Sequence, residues 1–297
     1  MTDNNSPGMV ELTAPGANPL QKFFRQPKLY ITLPSKGRWY PAGSLETTEN
    51  GELAVFAMTA KDELTLKTPD ALINGAATVE IIQSCVPSIL NAWVMPSIDV
   101  DALLIAIRIA TYGPTMDVEV TAPNTAEANN FQMDLRQVLE TVGVEEFVED
   151  VPTTTPGLQV KIRPVTYKEY TSAALQTFEE ERMFRIVNDG DLEQERKLEL
   201  FGETFTKIRD LTVGMISNSI VSITVDDVEV TNRVHITDFI DNADKSVFSD
   251  ITKHIETEKT KHAVKPLKVF ATEEQLELGA PKEFEVPIVF DQSTFFA

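Results

Sequence analysis

The feature that most constrains this chain is the apolar run at residues 98–113, IDVDALLIAIRIATYG, which is followed by Pro114. It is apolar on nearly all sides of a helix, and such a helix is stable only when neighbouring elements cover most of its surface. Arg108 is the exception, because an unpaired guanidinium in a core costs several kcal/mol. We expect a buried central helix in which a carboxylate or backbone carbonyl groups hold Arg108. An ion pair is favoured over a functional contact.

The N-terminal part of the chain has the pattern of a domain that mixes strands and helices. Lys28 to Leu33 is rich in β-branched and aromatic residues, and it predicts a strand that ends in the turn Pro34-Ser35-Lys36-Gly37. Asn50-Gly51 predicts a hairpin, because both residues tolerate positive φ angles, and residues 53–56 then form the return strand. The remaining elements expected here are helices at 60–66, 69–86 and 98–112 and strands at 116–121 and 131–135.

The C-terminal part is predicted to be mainly helical. A strand is expected at 158–162, and the capping box formed by Thr166 and Glu169 marks the start of a helix that runs to about Val187. A second helix and a third one, expected at 236–262, carry matching apolar stripes, which favours a three-helix bundle. The stripe of the second helix consists of Leu198, Phe201, Phe205, Ile208, Thr212 and Met215.

These patterns together predict an α+β fold. We place the main boundary in the Pro-, Thr- and Gly-rich stretch at 151–157, whose composition is typical of a connector. The expected organisation is an N-terminal mixed strand and helix domain followed by a mainly helical domain with an inserted β-hairpin and a C-terminal strand. The predicted bounds are a flexible N-terminal arm at 1–27, a mixed α+β domain at 28–157, a helical domain at 158–265 with its hairpin at 220–231, and a C-terminal extension at 266–297 with a strand and an aromatic tail.

Composition and charge narrow the classes of partner. The formal net charge is -20, from 26 Lys+Arg against 46 Asp+Glu, so the average field repels phosphate backbones and anionic lipid heads. No apolar stretch approaches the roughly 20 residues of a membrane helix, and the first residues lack the pattern of a secretory signal. We therefore expect neither nucleic acid nor a membrane as a partner.

Residues typical of catalysis or metal binding are few. His254 and His262 lie eight residues apart on a predicted helix, and with His235 they are expected to be solvent-facing structural residues rather than metal ligands. Cys85, the single cysteine, excludes an internal disulfide and is expected to pack in the core rather than act as a nucleophile. Acidic runs such as Glu179-Glu180-Glu181 favour solvated helix faces over a carboxylate pair or calcium ligands. No catalytic, cofactor-binding or metal-binding residue is assigned.

Four segments occur in a specific combination. They are a strand and turn at 29–41 with the core YITLPSKGRWYP, a helix at 70–85 with the sequence DALINGAATVEIIQSC, the apolar helix DVDALLIAIRIATYG at 99–113, and the ending VPIVFDQSTFFA. Together they resemble the baseplate proteins of T-even-type contractile-tail bacteriophages, and the order and spacing of the first three, which cover roughly the first 113 residues, make the resemblance specific. The resemblance implies a baseplate hub component or a hub-assembly factor, and it implies no enzymatic reaction.

Relatives often carry paired cysteines before the final Phe-Phe, as in a small zinc ribbon, but residues 273–285 here contain no cysteine. No metal site is therefore carried over.

The subunits of such assemblies join through arms and aromatic side chains that become buried on docking. The candidate partner-binding residues lie at the end of the arm, in the turn after the first strand and at the C-terminus. They are Phe23, Phe24, Ser35, Lys36, Gly37, Arg38, Trp39, Tyr40, Phe295 and Phe296. Each aromatic ring among them could equally fill the chain's own core, so both alternatives stay open at this point.

The expected function is that of a structural or assembly subunit of a contractile phage tail baseplate, acting through protein–protein contacts. The expected partners are other tail and baseplate proteins in a hetero-oligomeric assembly, and neither a cofactor nor an enzymatic activity is expected. The chain would be made in the host cytoplasm and would reside in the virion tail if retained. The alternatives are a tail-assembly chaperone absent from the mature particle and a tail-associated cell-wall hydrolase.

Overall fold

The structure is a computed structural model that describes residues 18–67, 75–124, 128–189, 194–286 and 295–296. The first 17 residues of the expected arm, the start of the helix expected at 69–86 and the end of the C-terminal strand lie outside these ranges. The described part combines helices with small antiparallel sheets, which confirms the predicted α+β fold.

The helices and strands have the following bounds. The helices are α1 Ala60–Leu66, α2 Ala76–Cys85, α3 Val100–Tyr112, α4 Leu135–Thr141, α5 Tyr167–Asp189, α6 Gln194–Ser219, α7 Arg233–Asn242, α8 Lys245–His262 and α9 Glu273–Glu277. The strands are β1 Pro27–Thr32, β2 Glu52–Phe56, β3 Thr115–Thr121, β4 Ala128–Asp134, β5 Asp150–Val151, β6 Leu158–Ile162, β7 Ile220–Val225, β8 Val228–Val230, β9 Leu267–Phe270 and β10 Glu283–Val286.

The apolar helix α3 lies at the centre of the first core. Residues 102–108 and Ala110 are all buried, which agrees with the apolar character of the helix on all sides. The helix ends at Gly113, whose φ of 92° is readily adopted only by glycine. Buried side chains from β1, β2, α2 and α4 and from the two phenylalanines at the C-terminus complete this core.

Arg108 is buried in α3 and contacts a backbone carbonyl group. Its Nε donates a hydrogen bond of 2.8 Å to the carbonyl oxygen of Phe295, and its guanidinium lies over the Tyr112 ring at 4.6 Å from the centroid. Among the described residues the ion pair that we favoured is not formed, and the carbonyl contact takes its place. Arg108 therefore fixes the C-terminal end of the chain to the central helix.

The strands β1 and β2 pair antiparallel, with Thr32 opposite Glu52. The return strand predicted at 53–56 is confirmed, because β2 pairs with β1, but the Asn50-Gly51 pair does not close a tight hairpin between the two strands. Residues 33–51 form a long connection, in which the Gly51 amide donates to the Thr48 carbonyl at 3.1 Å and Gly51 has a φ of 73°.

The second core lies between a four-stranded antiparallel sheet, ordered β5-β6-β7-β8, and the helices α7 and α8. The strands β5 and β6 pair on either side of residues 152–157, so the expected connector is a loop within one sheet. The domain boundary expected there stays a prediction. A third, smaller core packs β3 against the hairpin formed by β9 and β10.

The helix expected at 236–262 is divided into α7 and α8. Ala243 has an extended conformation, with a ψ of 148°, and the Phe248 amide then donates to the Asp244 carbonyl in the first turn of α8. The predicted single helix was therefore wrong. The predicted apolar face is nevertheless retained, because residues on both sides of the break, from Ile236 to Ile255, pack against the second core.

The helices α5 and α6 pair with each other and do not form the expected three-helix bundle within the described residues. Only the end of α6, at Val213 and Ile216, packs into the second core. Farther along the pair, Phe178, Leu198 and Phe205 are exposed. The predicted stripe of α6 is therefore largely uncovered, since Leu198, Phe205 and Thr212 are exposed, and the residues that do pack into the second core lie outside the stripe.

The contact between Phe295 and the first core predicts a large loss of stability on truncation. Phe295→Ala should lower the free energy of unfolding by about 3–5 kcal/mol, because the ring is 1% exposed and its removal leaves a cavity. Phe205→Ala is the matched control, since that ring is exposed, and it should change stability by less than about 0.5 kcal/mol. Urea unfolding measures both values, and equal losses for the two variants would contradict this assignment of the core.

Candidate protein-binding site

The turn after β1 is bound to a buried carboxylate. Asp99 is 0% exposed and lies just before α3, where it accepts hydrogen bonds from the Ser35 amide at 2.7 Å, the Ser35 hydroxyl at 2.6 Å and the Tyr40 hydroxyl at 3.1 Å. A carboxylate at this position is also favoured by the helix dipole. Burial raises the pKa of Asp99 to about 6, against the lowering effect of these hydrogen bonds. Burial and the Asp99 charge raise the pKa of Tyr40.

The backbone of this turn departs from the usual range of L-residues. Lys36 and Trp39 have φ angles of 54° and 64°, and Gly37 has a φ of 77°. A positive φ at a residue other than glycine is a strained conformation that persists only where the surroundings enforce it. The Asp99 hydrogen bonds provide this enforcement, so the turn has a fixed shape.

The side chains of the turn mostly contact the chain itself. Trp39 packs edge-on against Phe147 in the second core, with ring centroids 5.2 Å apart, and Tyr40 packs against the first core. Lys36 and Arg38 are exposed and form ion pairs with Glu146 and Glu149, respectively. Arg38 also lies over the Trp39 ring, 4.4 Å from its centroid. The turn therefore joins the two cores and leaves only Lys36 and Arg38 exposed.

Phe23 and Phe24 lie outside both cores. Phe23 is 74% exposed and Phe24 is 57% exposed. They lie at the end of a short 3-10 helix, Pro19–Phe23. The next residue, Arg25, is fixed: its Nη1 donates to the Ala57 carbonyl at 2.8 Å, and its Nη2 donates to the Ser84 hydroxyl at 3.0 Å. The chain after the two rings is therefore anchored, while the rings themselves face solvent.

The two C-terminal rings have the opposite environment. Phe295 and Phe296 are 1% and 7% exposed, and they contact each other edge-on with centroids 5.1 Å apart. Both belong to the first core. Of the two alternatives left open by the sequence, this structure shows core filling for these two residues.

The histidines expected to face solvent are partly misassigned. His254 and His262 are buried, at 9% and 3% exposure, because this face of α8 packs against the segment around Val148. His254 Nε2 contacts the Val148 carbonyl at 2.9 Å, and His262 Nδ1 contacts the Glu258 carbonyl at 2.8 Å. Within the described ranges, no cluster of three or more His, Cys, Asp or Glu side chains has the geometry to hold a metal ion.

Cys85 lies in the first core. Burial raises the pKa of its thiol to about 12, and the Asp62 charge adds to the shift, although Arg25 has a lowering effect. The thiol is therefore protonated at neutral pH, which fits a packing role.

A cavity of about 580 Å³ lies where the two cores meet. Its walls are mainly apolar, and they include Ile98, Phe147 and Ile255. Two polar residues that line it, Asp101 and His262, were not identified from the sequence as site residues. Asp101 was overlooked because an acidic residue in the first turn of a helix is ordinarily explained by the helix dipole. Only the folded chain brings it near α8.

An acidic α+β chain that presents anchored, exposed aromatic rings has the features of an assembly subunit. A family model described as T4 bacteriophage base plate protein matches residues 44–282, which is well over half of the chain. The chain therefore belongs to this family of phage baseplate proteins. The family implies contacts with other baseplate and tail proteins and a place in the virion tail.

Comparisons with curated proteins and with solved structures give no significant match. None of the described helices has the length and apolar character needed to cross a membrane.

The environment of Asp101 predicts a pH-dependent gain of stability on neutralisation. Burial raises the pKa of Asp101 to about 6 from a usual value of 3.8. The folded protein therefore favours the protonated carboxyl group, and the free energy of unfolding decreases as the pH rises from about 4 through 6 and the group ionises. Asp101→Asn should therefore stabilise the protein by up to about 3 kcal/mol at pH 7.5 and have little effect at pH 4. Urea unfolding at both pH values tests this, with the exposed Asp241→Asn as the control. A gain of the same size at both pH values would contradict the assignment.

Proposed function

We propose that this chain is a structural subunit of the baseplate hub that binds neighbouring subunits through Phe23 and Phe24. The observation that carries the proposal is the exposure of these two rings directly beside the anchored Arg25. Family membership supports the wider setting of a phage baseplate. The assignment to the hub rests on the resemblance of the four sequence segments.

The physical basis of the contact is the burial of preorganised aromatic surface. A phenylalanine side chain that becomes fully buried contributes about 1.5–3 kcal/mol before the costs of association are counted. Arg25 reduces one of these costs, because the backbone beside the rings is already ordered before a partner arrives. Its hydrogen bonds to Ala57, the residue after β2, and to Ser84 of α2 connect this surface to the first core.

The turn contributes to the proposed contact in a secondary way. Lys36 and Arg38 are exposed and can take part in a polar rim, whereas Ser35, Gly37, Trp39 and Tyr40 set the shape of the turn. Phe295 and Phe296 support the surface indirectly by completing the core. Rim charges contribute more to specificity and association rate than to affinity, so the two exposed phenylalanines are the main anchors.

A chaperone that leaves before the particle is complete would use the same surface, so the two roles differ in where the chain is found. For a tail-associated cell-wall hydrolase, a pair of carboxylates would have to converge in a sugar-sized polar cleft. The cavity found among the described residues has mainly apolar walls, and no observation there favours hydrolysis. We therefore retain the structural subunit as the proposed function.

Mass spectrometry of purified particles separates the two assembly roles. A permanent subunit should be present in mature particles at a fixed molar ratio to the other baseplate proteins, whereas a chaperone should be found only in assembly intermediates. The chain's absence from intact, infectious particles would overturn the proposal of a permanent subunit.

The surface itself is tested with the double variant Phe23→Ser, Phe24→Ser in an infection complementation assay. Incorporation into particles should fall at least tenfold, because losing about 1.4 kcal/mol of binding free energy already reduces affinity by that factor. The melting temperature should stay within about 2 °C of the parent, since both rings are exposed. Phe270→Ser, at another exposed ring, is the matched control and should be incorporated normally. Normal incorporation of the double variant would overturn the assignment of the surface.

A further inference from the structure

The cavity between the two cores is lined mainly by apolar side chains and contains two hydrogen-bond acceptors, on Asp101 and His262, that lack donors among the described residues. Apolar side chains from α8, from β6 and from the segment before α3 form most of its wall. Its volume of about 580 Å³ lies in the usual range of small-ligand sites, roughly 300–1,000 Å³. The cavity therefore has room for a side chain or a small molecule, and its polar groups determine which kind.

His262 presents a hydrogen-bond acceptor that has no donor. Its Nδ1 lies 2.8 Å from the Glu258 carbonyl oxygen, which can only accept, so Nδ1 carries the proton. In the neutral ring Nε2 is then an acceptor, and it is buried without a hydrogen-bond partner among the described residues.

Asp101 presents a second acceptor. Its carboxylate is half-buried in the first turn of α3, and among the described residues no hydrogen bond or ion pair reaches it. The cationic residues in the cavity wall are already engaged. Arg163 pairs with Glu169 at 2.8 Å, and Lys259 lies 3.8 Å from Glu256. His262 Nε2 and the Asp101 carboxylate are thus two acceptors without a donor among the described residues, and one of them is an anion, whereas the Ser97 and Tyr170 hydroxyls in the wall can donate or accept.

We propose that this cavity binds an arginine side chain from a neighbouring baseplate subunit. The proposal rests on the proposed function for the source of that side chain. A guanidinium has five N–H donors and no acceptor, so its chemistry suits the Asp101 carboxylate and His262 Nε2, which both belong to residues of the cavity wall. Its methylene stem suits the apolar wall, and the net charge of -20 attracts a basic segment to this chain.

The test uses n-butylguanidinium, which reproduces the guanidinium and the stem without a peptide. It is titrated into the full-length protein labelled with ¹³C at the isoleucine methyl groups. The Ile98 and Ile255 signals should shift and saturate in the millimolar range, because both residues line the cavity. Asp101→Asn should weaken the apparent affinity at least fivefold, whereas the exposed Asp241→Asn should leave it unchanged.

Two control ligands of similar length distinguish recognition of the guanidinium charge from nonspecific filling of the cavity. Neither butylurea, which is neutral, nor pentanoate, which is anionic, should give saturable shifts at these two residues. Equal binding of butylurea, binding of pentanoate, or unchanged affinity in Asp101→Asn would overturn the proposal. These outcomes are independent of particle composition, so the cavity can fail as an arginine site while the chain is still found in the baseplate.

Discussion

The structure depends on the buried Asp99 carboxylate, which accepts two hydrogen bonds from Ser35 and one from Tyr40. These bonds hold a strained turn against the start of α3. The turn then places Tyr40 against the first core and Trp39 against Phe147 of the second. Because one short segment contacts both cores, this turn helps to set their relative position, together with the backbone hydrogen bonds between residues 95–97 and 165–167. A buried carboxylate is tolerated here because its oxygens are satisfied and a helix begins beside it.

The two Phe-Phe pairs differ in burial, and this difference assigns one pair to the stability of the fold and leaves the other available for binding. Phe295 and Phe296 lie in the first core and are tied to α3 through Arg108, so their apolar area contributes to stability. Phe23 and Phe24 remain exposed although Arg25, the next residue, is anchored to the same core. Their apolar area therefore remains available for association. The proposed function uses this second pair, and the first pair keeps the supporting fold intact.

The elements governed by local rules could be predicted from the sequence, and those governed by tertiary contacts could not. The apolar α3 and the Thr166–Glu169 capping box were predicted correctly because their signals lie within a few residues. The break at Ala243 was missed, since the apolar periodicity continues through it. The burial of His262 and the isolation of Asp101 depend on how α8 meets α3, which no local pattern encodes. Among the candidate docking residues, periodicity could not separate Phe23 from Phe295, because each lies in a Phe-Phe pair outside the predicted helices and strands.

The account is tested most directly by hydroxyl-radical footprinting of the free protein and of purified particles. In the free protein Phe23 and Phe24 should be oxidised readily, while Phe295 and Phe296 should be protected in both samples. The account predicts that oxidation of Phe23 and Phe24 falls at least fivefold in the particle, with exposed surface outside the contact unchanged. Oxidation of these two residues at the same rate in particles and in the free protein would contradict it.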